Sequence, residues 1–179
     1  TDTVMFNPYS TIMKKQPLIS VIVASYNYAK YIKETLDSLI RQTNKSFEVI
    51  VVDDGSKDQS LPIIEEYANR FKNIKLYTHP GNQNRGLAET VILGIEKSNG
   101  EYIAFCESDD YWTNNHIEYL QDTIQQNPLA NFIVNGIKVI NLSNNPEYDS
   151  YIEFSSSFLK KHSGSNIFPY LDSNYIPTF

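Results

Sequence analysis

Several things are scarce in this sequence, and each scarcity removes a class of protein. The one cysteine, Cys106, sits in an apolar run, so no disulfide staples the chain and a buried, inert thiol in a reducing compartment is expected. Long hydrophobic runs are missing: Val21–Ala24 and Val49–Val52 are far shorter than the roughly 18 to 20 residues a membrane helix requires. No transmembrane segment is therefore expected. Clusters of lysine and arginine are missing too, and 15 basic against 21 acidic residues leave a net charge of −6. Because a phosphate backbone is held mainly by clustered cations, a nucleic-acid partner is not expected, and a phosphate-bearing ligand needs a local device such as a metal.

Several familiar signatures are also lacking. No Gly-x-x-x-x-Gly-Lys-Ser/Thr, Gly-x-Gly-x-x-Gly or Gly-x-Ser-x-Gly occurs, which removes the P-loop, the dinucleotide fingerprint and the hydrolase elbow. His79, His116 and His162 stand apart without metal-ligand spacing and read as surface or loop histidines. No basic-then-apolar signal follows Thr1, so the start reads as a cut or processed end, and the expected setting is cytoplasmic, at most at the inner face of a membrane. There is no internal repeat or low-complexity tract.

What is present is an alternation of short β-branched runs with amphipathic stretches from Leu18 onward. That is the pattern of consecutive βαβ units, predicting an α/β fold with a mostly parallel central sheet flanked by helices on both faces. Strands are predicted over 19–24, 48–52, 74–78, 102–106 and 132–135, with helices over 28–42, 60–71, a stretch ending near 98, and 114–127. Ser60 is expected to cap the second helix, with Pro62 tolerated in its first turn, and Asn99-Gly100 to stop the third. The expected organisation is an N-terminal extension over 1–16, a core over 17–135, and over 136–179 the start of a further segment, whose residues 141–165 show no clear period.

Three of the predicted strands run into polar loops: Ser25-Tyr26-Asn27, Asp53-Asp54-Gly55-Ser56 and Glu107-Ser108-Asp109-Asp110. Ligands of an open parallel sheet bind just outside the carboxyl ends of its strands, so the three loops are expected to face one crevice. That crevice would gather up to five carboxylates. Two unit charges about 4 Å apart repel by about 4 kcal/mol at an effective dielectric near 20, so such a cluster calls for a cation. Mg²⁺ or Mn²⁺ suits oxygen ligands and takes one or two carboxylates together with substrate phosphates and water, which ties the acids to a diphosphate. Alone, each acidic motif is equally a turn or a helix cap; two of them at the ends of two buried strands point to a site. Tyr26, just beyond a buried run, reads as a stacking platform rather than a core aromatic. Trp112 reads as helix packing, with the floor of the ligand site as its alternative.

Taken in order, the run from Ile19 to Asn27, Val51-Val52-Asp53-Asp54-Gly55-Ser56, and Gly100-Glu101-Tyr102-Ile103-Ala104-Phe105 resemble successive blocks of the family 2 glycosyltransferases. The resemblance is close from Pro17 to Asp110 and vague afterwards. It implies a GT-A sheet holding a nucleoside-diphosphate sugar, commonly a UDP-sugar, and transfer of the sugar with inversion to a saccharide or lipid-linked saccharide acceptor, most commonly in bacterial surface-polysaccharide assembly. It places Ser25, Tyr26 and Asn27 in the nucleotide-sugar site, with Tyr26 against the base, and gives Asp53 and Asp54 the pairing to base edge and ribose. Asn84 and Gly86 match the family's Asn-x-Gly. Glu107-Ser108-Asp109 falls on its Asp-x-Asp motif, with Glu107 near the ribose and Asp109 as the metal ligand.

The chain departs from the family pattern at three places. Glu107 replaces Asp and lengthens the arm, Ala24 replaces a common Pro, and Thr90-Val91-Ile92 replaces Ala-Arg-Asn, which removes a polar pair near the diphosphate or sugar. The resemblance also puts the catalytic base well downstream of the acidic motif. With that base expected beyond Phe179, the piece is predicted to bind donor and to be inactive or nearly so alone; Glu147, Asp149, Glu153 and Asp172 are the downstream acids available as substitutes. Two other readings stay open: a sugar-phosphate nucleotidyltransferase, which resembles this sheet but carries a glycine-rich basic loop where Tyr26-Asn27-Tyr28 stands, and a degenerate nucleotide-sugar-binding domain without activity.

Overall fold

The computed structural model describes residues 18–129 and 133. The chain divides into two compact units, Thr1–Ala130 and Asn131–Phe179, and the elements below belong to the first. In order they are β1 (Ile19–Ser25), α1 (Ile32–Ile40), β2 (Phe47–Asp53), α2 (Ser60–Arg70), β3 (Ile74–Thr78), a 3₁₀ turn (Pro80–Asn82), α3 (Leu87–Lys97), β4 (Tyr102–Phe105) and α4 (His116–Gln126). The fifth strand expected over 132–135 lies, except for Ile133, outside the described residues.

The four strands form one sheet in the order β3-β2-β1-β4, every pair parallel. β1 and β2 lie in the middle, and the β-branched runs 21–23 and 49–52 are buried to 1% exposure or less because such strands are covered on both faces. Right-handed crossovers put α1 and α2 on one face as the chain steps outward to β3, and α3 on the other as it returns past β1 to β4. Gly94 marks that second face: a Cβ there would lie 2.6 Å from the Ile22 side chain, so α3 packs on β1 at glycine distance.

The return of the chain across β1 creates the topological switch point of the sheet, beside β1 at the carboxyl edge. The loops after β1, β2 and β4 therefore share one edge. Their heights differ, since Asp53 pairs with Ser25 but Phe105 pairs with Ile22, so β4 stops lower than its neighbours and its loop begins beside β1 rather than beyond it.

Two capping expectations are corrected. Ser60 lies inside α2, and its hydroxyl accepts the Tyr28 N–H at 2.8 Å, while Asp58 accepts the Ser60 N–H at 2.9 Å in the manner of a cap. Gly100 is not a left-handed helix stop. The need for glycine there comes from β1, whose Ser20 N would lie 2.5 Å from a Cβ, and the Gly100 N–H is bonded to Ser20 Oγ at 2.8 Å.

Candidate nucleotide-sugar site

The loop after β1 is stitched to the loop after β2. Asn27, at φ 56°, donates its N–H to Ser56 Oγ (2.9 Å) and accepts the Lys57 N–H on Oδ1 (2.7 Å); the Ala29 N–H reaches Asp58 Oδ2 (3.0 Å). Asn27 is thus spent on loop geometry, and that geometry leaves the Tyr26 ring at the surface, 43% exposed. Ser25 is buried, and its hydroxyl has no hydrogen-bond partner.

The acids after β2 turn inward. Asp53, fully buried, accepts the Ser56 N–H at 2.9 Å and the Ser56 hydroxyl at 2.5 Å. Asp54, 4% exposed, accepts two successive backbone N–H groups, Arg85 at 2.6 Å and Gly86 at 2.9 Å, one on each oxygen. This explains two glycines. Gly86 lies at φ 85° with its N–H aimed at Asp54, and Gly55, at φ 76°, has the Asn82 carbonyl oxygen 2.7 Å from where a Cβ would stand. Asn84 is exposed on the same loop, beside Arg85.

His79 was expected at the surface; it is buried instead, with Nε2 3.0 Å from Thr90 Oγ1 and 3.6 Å from Asp54 Oδ1. The Thr90 hydroxyl donates to the Gly86 carbonyl at 2.9 Å, so the His79 Nε2–H is the donor toward Thr90. Thr90, which stands where the family pattern has Ala, is a buried member of the lock that closes the 84–86 loop on Asp54.

The acids after β4 turn outward. Glu107, Asp109 and Asp110 are exposed, and Ser108 between them is buried. Burial of part of its carboxyl, then the charges of Asp109 and Asp110, raise Glu107 above the usual carboxylate range; burial and Asp109 raise Asp110 in the same way. The same three acids add to burial in pushing the Cys106 thiol far up, so it stays protonated and inert. Trp112 is half-buried with its ring 4.3 Å from that of His116, the packing role expected of it.

One expectation is corrected by this arrangement. Five carboxylates do not crowd round one point: two are satisfied by protein N–H and O–H donors, and among the described residues no group of three or more His, Cys, Asp or Glu side chains could hold a metal ion. The donor set fits an ion bound by one or two carboxylates and completed by ligand phosphates and water, not a protein cage.

Sequence reasoning missed the residues that hold the second acidic loop. Thr35 Oγ1 donates to the Ser108 carbonyl (2.9 Å), the Trp112 N–H donates to Ser38 Oγ (3.1 Å), Gln42 Nε2 donates to the Thr113 carbonyl (2.7 Å), and the Ile117 N–H donates to Gln42 Oε1 (3.0 Å). The available signal was three polar residues at i, i+3 and i+7 beside the apolar stripe of α1.

A four-stranded, all-parallel α/β sheet with exposed acids in the loop at its switch point is an arrangement of the GT-A class. The glycosyl transferase family 2 profile matches residues 20–178, and the chain belongs to that family. It is 37% identical over 114 residues to an uncharacterized glycosyltransferase of Haemophilus influenzae, covering 64% of this chain and 45% of that one. To the uncharacterized glycosyltransferase EpsJ of Bacillus subtilis it is 39% identical over 113 residues, covering 63% and 32%. The chain thus spans less than half the length of these relatives. Among solved structures, S. aureus TarS 1-349 in complex with UDP-GlcNAc superposes with a TM-score of 0.57 at 35% identity, covering 69% of this chain and 37% of that one. Among the described residues no helix is long and apolar enough to cross a membrane.

Proposed function

We propose that this chain binds a nucleoside-diphosphate sugar, a UDP-sugar first among them, at the carboxyl edge of its sheet and serves its transfer to an acceptor hydroxyl with inversion. The observation that carries the reading is the outward acidic loop, Glu107 to Asp110, held at the switch point, with Tyr26 exposed in the loop after the neighbouring strand β1. The TarS complexes with UDP and with UDP-GlcNAc support it.

In this reading Tyr26 offers a stacking face to the base. Ser25 has an unspent hydroxyl at the end of β1, and Asn84, Arg85 and Gly86 present a polar loop held in shape by Asp54. Asp109, aided by Glu107, would hold Mg²⁺ or Mn²⁺ against the diphosphate. When bound, such an ion offsets the negative charge that grows on the leaving diphosphate. The acceptor attacks the anomeric carbon from the side opposite the diphosphate while a carboxylate takes its proton; no described residue is assigned that role. A saccharide or lipid-linked saccharide acceptor in surface-polysaccharide synthesis is the setting proposed, and the acceptor side is proposed to lie outside the core.

Calorimetric titration of UDP, GDP and UDP-GlcNAc, with and without Mn²⁺, tests this. Uridine nucleotides should bind more tightly than GDP and gain affinity with the metal. Equal binding of all three regardless of Mn²⁺ would contradict it.

A further inference from the structure

Helix α1 and the residue just past its C-cap carry a buried polar seam that reaches the loop after β4 and the start of α4. Thr35 and Ser38 on the helix, and Gln42 just beyond its C-cap Arg41, are each 1% exposed or less, beside Ile32, Leu36 and Leu39, which form an ordinary core face. Burying a hydroxyl or an amide is costly unless it is bonded, so a helix that only had to pack would carry apolar residues there. Each of the three is bonded, and each reaches backbone groups of the loop: the Ser108 carbonyl, the Trp112 N–H and the Thr113 carbonyl. The seam is further ordered from within, since the Ser38 hydroxyl donates to the Thr35 carbonyl at 2.7 Å and thereby turns a lone pair toward Trp112. Next to it the Thr43 N–H donates to the Asn114 carbonyl at 2.7 Å.

Contacts to backbone fix the path of a loop while leaving its side chains free. That is what the 107–110 segment requires: Ser108 turns inward at the point where Thr35 grips its carbonyl, and Glu107 and Asp109 on either side remain exposed. The loop also repels itself, because Asp109 adjoins two other acids. Left unfastened, it would spread its charges apart.

We propose that Thr35, Ser38 and Gln42 are positioning residues for donor binding, holding the Glu107–Asp110 backbone so that Asp109 and Glu107 meet the metal-bound diphosphate together. This rests on the donor-binding reading of that loop. Thr35→Val keeps the shape of the side chain and removes the donor to Ser108, Ser38→Ala removes the acceptor of the Trp112 N–H, and Thr35→Ser restores the hydroxyl.

Two measurements are made on each variant: amide hydrogen exchange of the unliganded protein, and calorimetric affinity for UDP with and without Mn²⁺. Loss of one such bond is worth about a factor of ten. Exchange over 107–113 should therefore speed about tenfold in Thr35→Val and Ser38→Ala while β1 and β2 exchange as before, and the Mn²⁺-dependent part of UDP affinity should fall about tenfold. Metal-free UDP affinity should hold, and Thr35→Ser should recover both losses. Unchanged exchange in the loop, or a loosened loop with full Mn²⁺-dependent affinity, would overturn the proposal and leave donor binding standing. A fall in affinity that merely tracks global unfolding would overturn it as well. Should the unsubstituted chain gain nothing from Mn²⁺, the donor-binding reading itself fails and takes the proposal with it, a result told apart from the others by the parent protein alone.

Discussion

The loops after β2 and β4 are alike in sequence, acids and small polar residues at the end of a buried strand, yet their carboxylates do opposite things. Asp53 and Asp54 accept N–H and O–H donors from Ser56, Arg85 and Gly86 and are closed to solvent; Glu107, Asp109 and Asp110 are open to it, and partial burial together with the neighbouring Asp109 charge raises Glu107 and Asp110. The difference follows from what each loop is given. A carboxylate that finds backbone N–H groups becomes part of the scaffold, because those bonds replace its hydration. The loop after β4 is held by its backbone, through the side chains of Thr35, Ser38 and Gln42, so its acids stay open to solvent.

The largest effect that can break this contrast is on folding. Asp54→Ala leaves the Arg85 and Gly86 N–H groups without their acceptor and should cost about 3 kcal/mol, since removing one partner of a buried charged bond costs far more than the bond's net worth. Urea unfolding of this variant checks it, and a loss below about 1 kcal/mol would place Asp54 with the outward acids.

Glu48 extends the inward class to the opposite edge of the sheet. Burial alone would raise its carboxyl, but bonds from Lys75, Ser20 and Asn99 outweigh burial and hold it at about 2. A lowered folded value means that the stabilisation is present above the ordinary carboxylate range and is lost as pH falls from there toward 2. Glu48→Gln should cost about 2 kcal/mol at neutral pH and flatten the acid limb of a plot of unfolding free energy against pH.

The smallest effect has the other sign. Glu107 is raised, so its ionised form is disfavoured in the folded protein; stability should rise slightly as pH falls through its range. Glu107→Gln should raise the unliganded protein's stability at neutral pH by about 0.5 kcal/mol or less, the charge being exposed and screened. Thermal melts with and without added salt read this out, and a loss of stability would show Glu107 to be a scaffold acid.

How much of this could be read from the residues divides along physical lines. All four described strands and the helices between them were legible: β1 and β2, buried on both faces, give β-branched runs, β3 and β4 give short apolar runs after helical stretches, and the helices give a 3.6 period. Ser60, Gly100 and His79 were misplaced because their settings are made by segments distant in sequence: Tyr28 for Ser60, Ser20 for Gly100, Asp54 and Thr90 for His79. That the loops after β1, β2 and β4 share one edge of the sheet was legible from the βαβ alternation. The direction in which each acid points was not, because it depends on whether an N–H lies within reach, and the Arg85 and Gly86 N–H groups come from a loop about thirty residues away.

The central claim is that the acids after β4 face the ligand while those after β2 face the protein. The direct test is Mn²⁺-dependent UDP binding by calorimetry for Asp109→Asn, with its melting temperature measured alongside. The metal-dependent gain in affinity should disappear while the melting temperature stays within about a degree or two of the parent's. Full metal-dependent binding in that variant would contradict it.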